Sequence, residues 1–337
     1  MKEKKDNTFF DRAKSRVGSA LYSAKIRLRE LLHIKPKPSK KRNKRLSDGV
    51  FVYLMLLFPL VQFGVFYIGV NINSIMMAFQ SYSPATHVYT FVGLANFKTI
   101  WNTFLSDVLF RYCLKNSLLG FVWIQLLSPV VLFFTFFIYK KFFGYKFFKI
   151  VLFLPTIIST IITVTVYKYF VEVAVPAIWK ATFGVTIGGL LSTPATSFGA
   201  VMFYYMWLSF GTLMLMYLGC MNGISDSIIE SAKLEGANSM QEFFYITFPM
   251  IYPTFSTLFF TSIAGIFTNQ LNLYTLWGAE AERKLWTFGY YLYREVSIAT
   301  DANYPYLAAL GILMTLVAAP LTFLSKYGLE KIGPKTE

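Results

Sequence analysis

Six apolar stretches, each 21 residues or longer, constrain this chain more than any other feature of its sequence. A helix needs about 20 residues to cross the roughly 30 Å hydrocarbon core of a bilayer. The composition agrees, because 55% of the residues are hydrophobic and only 15% are charged, against roughly 25% charged in a soluble domain. We therefore predict an all-α, polytopic membrane helical bundle with six transmembrane helices at residues 50–70, 114–139, 147–171, 198–218, 248–273 and 304–324.

Basic residues are concentrated at the amino end of the chain. The first 45 residues contain 16 Lys and Arg against four acids, which gives +12 of the total net charge of +15. Placing this end in the cytoplasm puts 24 basic residues on the inner side and seven on the outer side. Because inner loops are enriched in Lys and Arg, both termini are predicted to be cytoplasmic. A basic run beside the first span also favours membrane lipids over nucleic acid as its partner.

Three parts are predicted along the chain: a basic cytoplasmic extension at residues 1–46, a transmembrane domain at 47–331, and a short cytoplasmic tail at 332–337. Within the extension, Val17, Leu21, Ala24 and Leu28 recur at helical spacing with basic residues mostly off that stripe. This pattern is typical of an amphipathic helix on a membrane surface. A mobile basic tail is the alternative, and both interpretations stay open.

The sequence lacks the motifs of common enzymes and metal sites. The cysteines, Cys113 and Cys220, and the two histidines form no zinc-binding spacing. The cysteines fall near opposite membrane faces, which excludes a disulfide between them. No phosphate-binding G-x-x-x-x-G-K-[ST] run is present, so any ATP chemistry must come from a partner. Lys168 lies near the predicted outer end of the third span, where we expect its side chain to reach the surface.

The loop between the fourth and fifth spans, residues 224–248, has the most informative pattern in the chain. Ser225 or Asp226 is expected to cap a short helix, and the acids Asp226 and Glu230 suit the positive end of that helix. Gly236 can adopt a positive φ. A turn is therefore predicted at Gly236, before a second helix leads into the membrane.

This loop resembles the EAA loop of ABC-transporter permeases, whose pattern is approximately E-A-A-x-x-x-G-A followed by a spaced Phe, Ile and Leu-Pro. The departures are mild: Ser231, Glu235 and Phe248 replace the usual Ala, Asp and Leu. Motifs in the other spans look like the sugar-importing branch, similar to permeases for maltose and other oligosaccharides. The positions that match the loop pattern in order and spacing are Glu230, Ala232, Gly236, Ala237, Phe243, Ile246 and Pro249.

The resemblance implies a multi-pass permease subunit in a bacterial cell membrane, forming the path of a carbohydrate delivered by an extracytoplasmic solute-binding protein. It implies a second permease subunit, in a heterodimer, and two ATP-binding subunits that hold ATP and Mg, with no cofactor in this chain. The loop then serves as a coupling helix that seats in the ATPase. Its implied contact residues are Glu230, Ser231, Ala232, Glu235, Gly236 and Ala237.

A candidate substrate path lies in the fifth predicted span. Its aromatic and amide side chains could stack on sugar rings and bond hydroxyl groups. The alternative is helix packing together with an outer aromatic belt. Phe267, Gln270, Tyr274 and Trp277 are predicted to share one helix face, with Asn269 and Asn272 nearby.

Two alternatives to a sugar permease remain at this point. The first is an ABC permease for a non-sugar solute, which the motifs do not exclude. The second is a polytopic membrane glycosyltransferase, which would need paired carboxylates or metal ligands near one face. The outer acids Glu280, Glu282, Glu295 and Asp301 have no such spacing.

Overall fold

The computed structural model describes residues 44–334. The predicted amphipathic helix lies outside these residues. Six helices in the described range are long and apolar enough to cross a membrane, which confirms the predicted all-α bundle. In chain order the helices are α1 (Lys44–Gln62, Phe63–Gly69 and Val70–Ala78), α2 (Ala95–Ser106), α3 (Val108–Tyr139), α4 (Tyr145–Ile157), α5 (Thr160–Phe183), α6 (Ser197–Met221), α7 (Asp226–Leu234), α8 (Ser239–Ala264), α9 (Leu273–Trp277), α10 (Phe288–Ser297) and α11 (Tyr304–Ile332).

A short antiparallel hairpin follows α1, which the all-α prediction did not include. Strand β1 (Gln80–Ser83) pairs with β2 (Val88–Phe91). The side-chain amide of Asn96 donates to the carbonyls of Ala78 (2.9 Å) and Gln80 (2.7 Å), which fixes α2 to the start of the hairpin. Strands of four residues are too short for apolar alternation to stand out from the sequence.

The third predicted span is interrupted. Helix α4 ends at Ile157, the next two residues have extended backbones, and α5 then runs to Phe183, twelve residues past the predicted end at residue 171. Lys168 therefore lies within a helix and not near its end. Its Nζ donates to the carbonyl of Leu276 at 2.7 Å. The residue is half-buried, and its predicted position near a helix end is wrong, while the carbonyl of Leu276 gives its amine a partner.

The fifth span ends earlier than predicted. Helix α8 stops at Ala264, and residues 265–272 form turns before α9 begins. Leu271 and Asn272 both have positive φ values, 49° and 58°, which no continuous right-handed helix contains. Phe267, Gln270, Tyr274 and Trp277 consequently do not share one helix face, and the helical spacing predicted for them is wrong.

From residue 69 onward the described chain forms one unit with two separate apolar cores. The first core joins the amino-terminal half of α3 to α6, α9, α10 and residues 265–272. The second joins the carboxyl-terminal halves of α3 and α6 to α7 and the start of α8. Helices α3 and α6 run through both cores and pack on each other. The amino-terminal part, residues 44–68, is helical and exposes its large apolar side chains from Val50 onward.

Candidate functional site

Helix α7 holds the residues of the loop motif on a surface. Ile229 and Ala232, three positions apart, are buried, and Ile229 belongs to the second core. Glu230, Ser231 and Glu235 are exposed. Burying one face and exposing the other is the pattern expected of a helix that lies on the bundle surface. Ser225 occupies the capping position, but the structure gives no side-chain cap there.

A turn at Gly236 ends α7, as the sequence predicted. Gly236 has φ +84°, a conformation that costs glycine little and other residues considerably more. The amide of Ala237 donates to the carbonyl of Ala232 (3.0 Å), and that of Gly236 donates to Lys233 (3.0 Å). This is the Schellman arrangement, which satisfies the last carbonyls of a helix. A Cβ added at Gly236 would have no heavy atom within 4 Å, so the space beside the turn is open.

The next helix starts three residues later with a capping box. The Asn238 side chain accepts from the Gln241 amide, and the Gln241 side chain accepts from the Asn238 amide, both at 2.9 Å. Two fixed helix ends therefore define the angle between α7 and α8. The surface between them exposes Leu234 at 89% alongside the acidic side chains of α7.

This loop is anchored by an ion pair that was not predicted from the sequence. Lys140, at the carboxyl end of α3, donates to both carboxylate oxygens of Glu242 at 2.6 and 2.9 Å. Glu242 is 2% exposed. Phe243 is also buried, with its ring centroid 5.0 Å from that of Phe136 on α3. The sequence does contain one signal for this pair: Glu242 is an acid at the start of a membrane helix, and a carboxylate that becomes buried needs a partner.

A cavity of about 260 Å³ lies between α3, α6 and the end of α8. None of the residues that line it is charged. Its polar groups are hydroxyls and an amide, and two aromatic side chains also line it, so the cavity suits a neutral solute rich in hydroxyl groups. The lining includes Ser117, Phe121, Tyr205, Ser262, Thr268 and Asn269.

Hydrogen bonds across the cavity fix its polar groups. The Asn269 side chain donates to the Tyr205 hydroxyl at 2.6 Å and accepts from the amide of Leu271 at 2.8 Å. The Gln125 amide donates to the Ser262 hydroxyl. Tyr205, Ser262 and Gln125 were not predicted, because they sit singly within apolar runs of three different helices and only the fold brings them together.

Of the six predicted path residues, Asn269 lines this cavity. Phe267 is buried, with its ring centroid 5.9 Å from that of Phe288. Tyr274 lies 4.6 Å from Tyr293, ring centroid to ring centroid. Gln270, Asn272 and Trp277 are half-buried and are not part of the cavity lining.

Contacts from residues 284–289, here called the clamp, hold the segment that follows α8, residues 265–278, in place. Asn116 on α3 donates to the carbonyls of Lys284 (2.8 Å) and Trp286 (3.0 Å). The Thr287 hydroxyl donates to the carbonyl of Asn269 (2.8 Å). A Cβ on Gly289 would lie 2.4 Å from the backbone of Thr268. Irregular backbone at membrane depth is tolerated where protein surrounds it, and these contacts surround this segment.

Helix α10 fixes the residues that follow this region. The Tyr290 hydroxyl donates to the Gly278 carbonyl (2.9 Å) and accepts from the Ala281 amide (3.2 Å). Burial raises the pKa of Tyr290 above its ordinary value, so the phenol stays protonated and keeps both contacts. Arg294 adds a bond to the Ala279 carbonyl (2.9 Å).

The described residues provide neither a metal site nor a disulfide. Within residues 44–334, no group of three or more His, Cys, Asp or Glu side chains is placed to hold a metal ion. Cys113 and Cys220 are free.

Comparison with known proteins gives a consistent result. The family described as "Binding-protein-dependent transport system inner membrane component" matches residues 169–336. The chain is 25% identical over 233 residues to the probable starch degradation products transport system permease protein AmyD of Thermoanaerobacterium thermosulfurigenes, covering 67% of this chain and 76% of that protein. It is 26% identical over 295 residues to the arabinooligosaccharides transport system permease protein AraP of Bacillus subtilis, covering 86% and 91%.

A solved structure supports the same fold. It is a crystal structure of a bacterial ABC transporter involved in the import of the acidic polysaccharide alginate. The TM-score is 0.69 at 21% sequence identity, and the match covers 86% of this chain and 98% of that one. At this identity the likeness establishes the arrangement of helices.

Proposed function

Because this chain belongs to the binding-protein-dependent transport system inner membrane components, a family of multi-pass permeases, we propose that it forms the translocation path of an ATP-driven importer for oligosaccharides. The observation that carries the choice of cargo is the cavity between α3, α6 and the end of α8. Its uncharged lining of hydroxyl, amide and aromatic groups matches the chemistry of a neutral saccharide.

The relatives support this choice of cargo. AmyD is described as a probable permease for starch degradation products and AraP as a permease for arabinooligosaccharides. A binding site for a small charged solute is expected to include an opposite charge or a metal among its polar groups. The cavity lining contains no charged residue.

Coupling to ATP is proposed for the exposed surface of α7 and the turn at Gly236. In this proposal the side chains of Glu230, Ser231 and Glu235 face a partner ATPase. Ala232 and Ala237 keep the loop narrow, and Gly236 leaves room for the partner's surface. ATP and Mg are bound by two such partner subunits, not by this chain. ATP binding and hydrolysis then shift the bundle between inward-facing and outward-facing states.

The remaining partners follow from this arrangement. A second permease subunit, in a heterodimer, completes the path, and an extracytoplasmic solute-binding protein delivers the saccharide. Both termini and α7 lie on the cytoplasmic side in this proposal, which the distribution of Lys and Arg favours. Residues 1–46 remain assigned as a basic extension that meets anionic lipid.

The test is transport by the reconstituted complex. This chain would be copurified with its partner subunits, placed in vesicles with the solute-binding protein, and supplied with a panel of linear oligosaccharides, amino acids and phosphate. We expect ATP-dependent uptake of at least one oligosaccharide and none of the charged solutes. Uptake of an amino acid or phosphate without any saccharide would establish the non-sugar alternative. Sugar transfer to a lipid acceptor without uptake would establish the glycosyltransferase.

A further inference from the structure

The ion pair between Lys140 and Glu242 connects the two regions that the proposed function requires to act together. Lys140 directly follows α3, and Glu242 ends the first turn of α8, directly behind the α7 loop. The two residues are 102 positions apart in sequence. The pair therefore joins the loop that meets the ATPase to a helix that lines the cavity.

Both charges are placed where helix dipoles favour them. The positive amine of Lys140 lies at the carboxyl end of α3, and the carboxylate of Glu242 lies in the first turn of α8. A helix has partial negative charge at its carboxyl end and partial positive charge at its amino end. Each member of the pair is stabilised by its own helix as well as by its partner, so the contact holds the two helix ends at a fixed separation.

Burial makes this pair different from the other ion pairs of the described chain. The side chains of Lys140 and Glu242 are 14% and 3% exposed. Those of Lys326 and Glu330, 3.8 Å apart on α11, are 49% and 60% exposed. Exposed pairs contribute little to stability because water screens them. Separating a buried pair leaves an uncompensated charge, so the α3–α8 contact resists being pulled apart.

Helix α3 carries this contact to the cavity. Its segment from Gly120, in the cavity lining, to Lys140 spans 20 residues, or about 30 Å at 1.5 Å per residue. Ser117 and Phe121, at the far end of the same helix, also line the cavity. A displacement of the loop that moves Glu242 must therefore either move the inner end of α3 or break the pair.

We propose that the Lys140–Glu242 pair is a coupling latch, through which movement of the α7 loop is passed to α3 and so to the cavity. Lys140 and Glu242 are positioning residues: they touch neither cargo nor nucleotide and act through α3. The buried Phe136 and Phe243 rings beside the pair resist compression, while the charges resist separation. This inference rests on the proposed function, because it assumes that a partner moves the α7 loop.

The test follows α3 directly and does not need the cargo. In the copurified complex, with Cys113→Ala and Cys220→Ala as background, a fluorophore on Val122→Cys reports the environment of α3, since Val122 is exposed on that helix. ATP is added, and the change in emission is recorded together with ATP hydrolysis. If the proposed oligosaccharide cargo is wrong, only the uptake assay changes its result. If the proposed role of the ion pair is wrong, the emission assay changes, so the two outcomes are distinguishable.

The informative variant removes both charges at once. Lys140→Met with Glu242→Gln leaves no unpaired buried charge, whereas removing one charge alone would leave the other uncompensated. We expect the complex to assemble and hydrolyse ATP while the emission change falls at least fivefold. Lys140→Arg, which keeps the positive charge, should retain more than half of the change. Lys326→Met with Glu330→Gln is the matched control and should behave as the wild type.

Three results would overturn the latch: no response of the wild-type label to ATP, a full response in the neutral pair, or a loss in Lys140→Arg equal to that in the neutral pair. The last would show that side-chain shape and not charge links the helices. If the neutral pair does not assemble, Lys140→Gln with Glu242→Met removes the same charges with the polar group on the other helix. The same criteria then apply to that variant.

Discussion

Two segments flank α8, and they are stabilised in opposite ways. In residues 225–238 before it, the hydrogen bonds join residues at most five positions apart, as between Ala237 and Ala232 or Asn238 and Gln241. The long-range partner of Lys140, Glu242, lies beyond them, in the first turn of α8. In residues 265–278 after it, the fixing contacts come from far along the chain. Thr287 binds Asn269 from 18 positions away.

Because of this difference in their contacts, the two segments differ in whether they can move as a rigid unit. The α7 loop keeps its shape through its own caps, so a partner can displace it without unfolding it. The segment at the end of α8 keeps its shape only while α3 and residues 284–289 hold it. Movement of α3 therefore alters the cavity lining more readily than it alters the loop.

The largest effect that this comparison predicts is at Gly289. In Gly289→Ala the new Cβ would lie 2.4 Å from the carbonyl carbon and oxygen of Thr268, and backbone there has no room to shift. We expect a loss of roughly 3 kcal/mol, the upper end for an overpacked site, measured by thermal unfolding of the purified chain in detergent. Gly311→Ala, where no heavy atom lies within 4 Å, is the control. Equal unfolding midpoints for the two variants would contradict the clamp.

A smaller effect on stability, but a large one on coupling, is expected at Gly236. Both Gly236→Ala and Gly236→Leu place a side chain at φ +84°, which costs about 1–3 kcal/mol. The site is otherwise open within this chain, so the added volume of leucine should matter only against a partner. We expect membrane insertion of both variants and at least a tenfold lower uptake per ATP in Gly236→Leu than in Gly236→Ala, about 1.4 kcal/mol.

Uptake and ATP hydrolysis measured in the same vesicles decide this point. If the leucine and alanine variants lose the same amount of coupling, backbone strain alone explains the effect. The α7 surface would then not be the ATPase contact.

The smallest effect concerns the cavity itself. Tyr205→Phe removes the hydroxyl that accepts from Asn269 but keeps the aromatic ring. We expect the half-saturating cargo concentration to rise about fivefold, which corresponds to one lost hydrogen bond of about 1 kcal/mol. Gln270→Ala is the matched comparison, because Gln270 is not part of the lining. A larger change in Gln270→Ala than in Tyr205→Phe would favour the path first predicted from sequence over the cavity.

The same contrast explains what the sequence could predict. Six spans, the turn at Gly236 and the second helix after it follow from hydropathy, one glycine and local capping residues, all of which act over short distances. Ser225 is at the predicted cap position, yet the structure gives it no capping bond to the backbone.

The parts that were not predicted depend on contacts between distant residues. Nothing near Ala264 marks the end of α8, because Gly265 alone is tolerated in a helix. The break is fixed by Thr287 and Gly289, which belong to a later segment. Lys140 and Glu242 are unremarkable in sequence for the same reason, since only the fold brings them within 2.6 Å.

The clamp on residues 265–278 also sets an order of biogenesis. Asn116 and Ser117 reach the membrane before this segment is synthesised, but Thr287 and Gly289 follow it on the ribosome. The amide of Phe288 must then find the Ser117 hydroxyl, 171 positions earlier (3.1 Å). The fifth span is therefore inserted with its carboxyl-terminal end unfinished, and that end acquires its native form only after residues 284–289 have joined it.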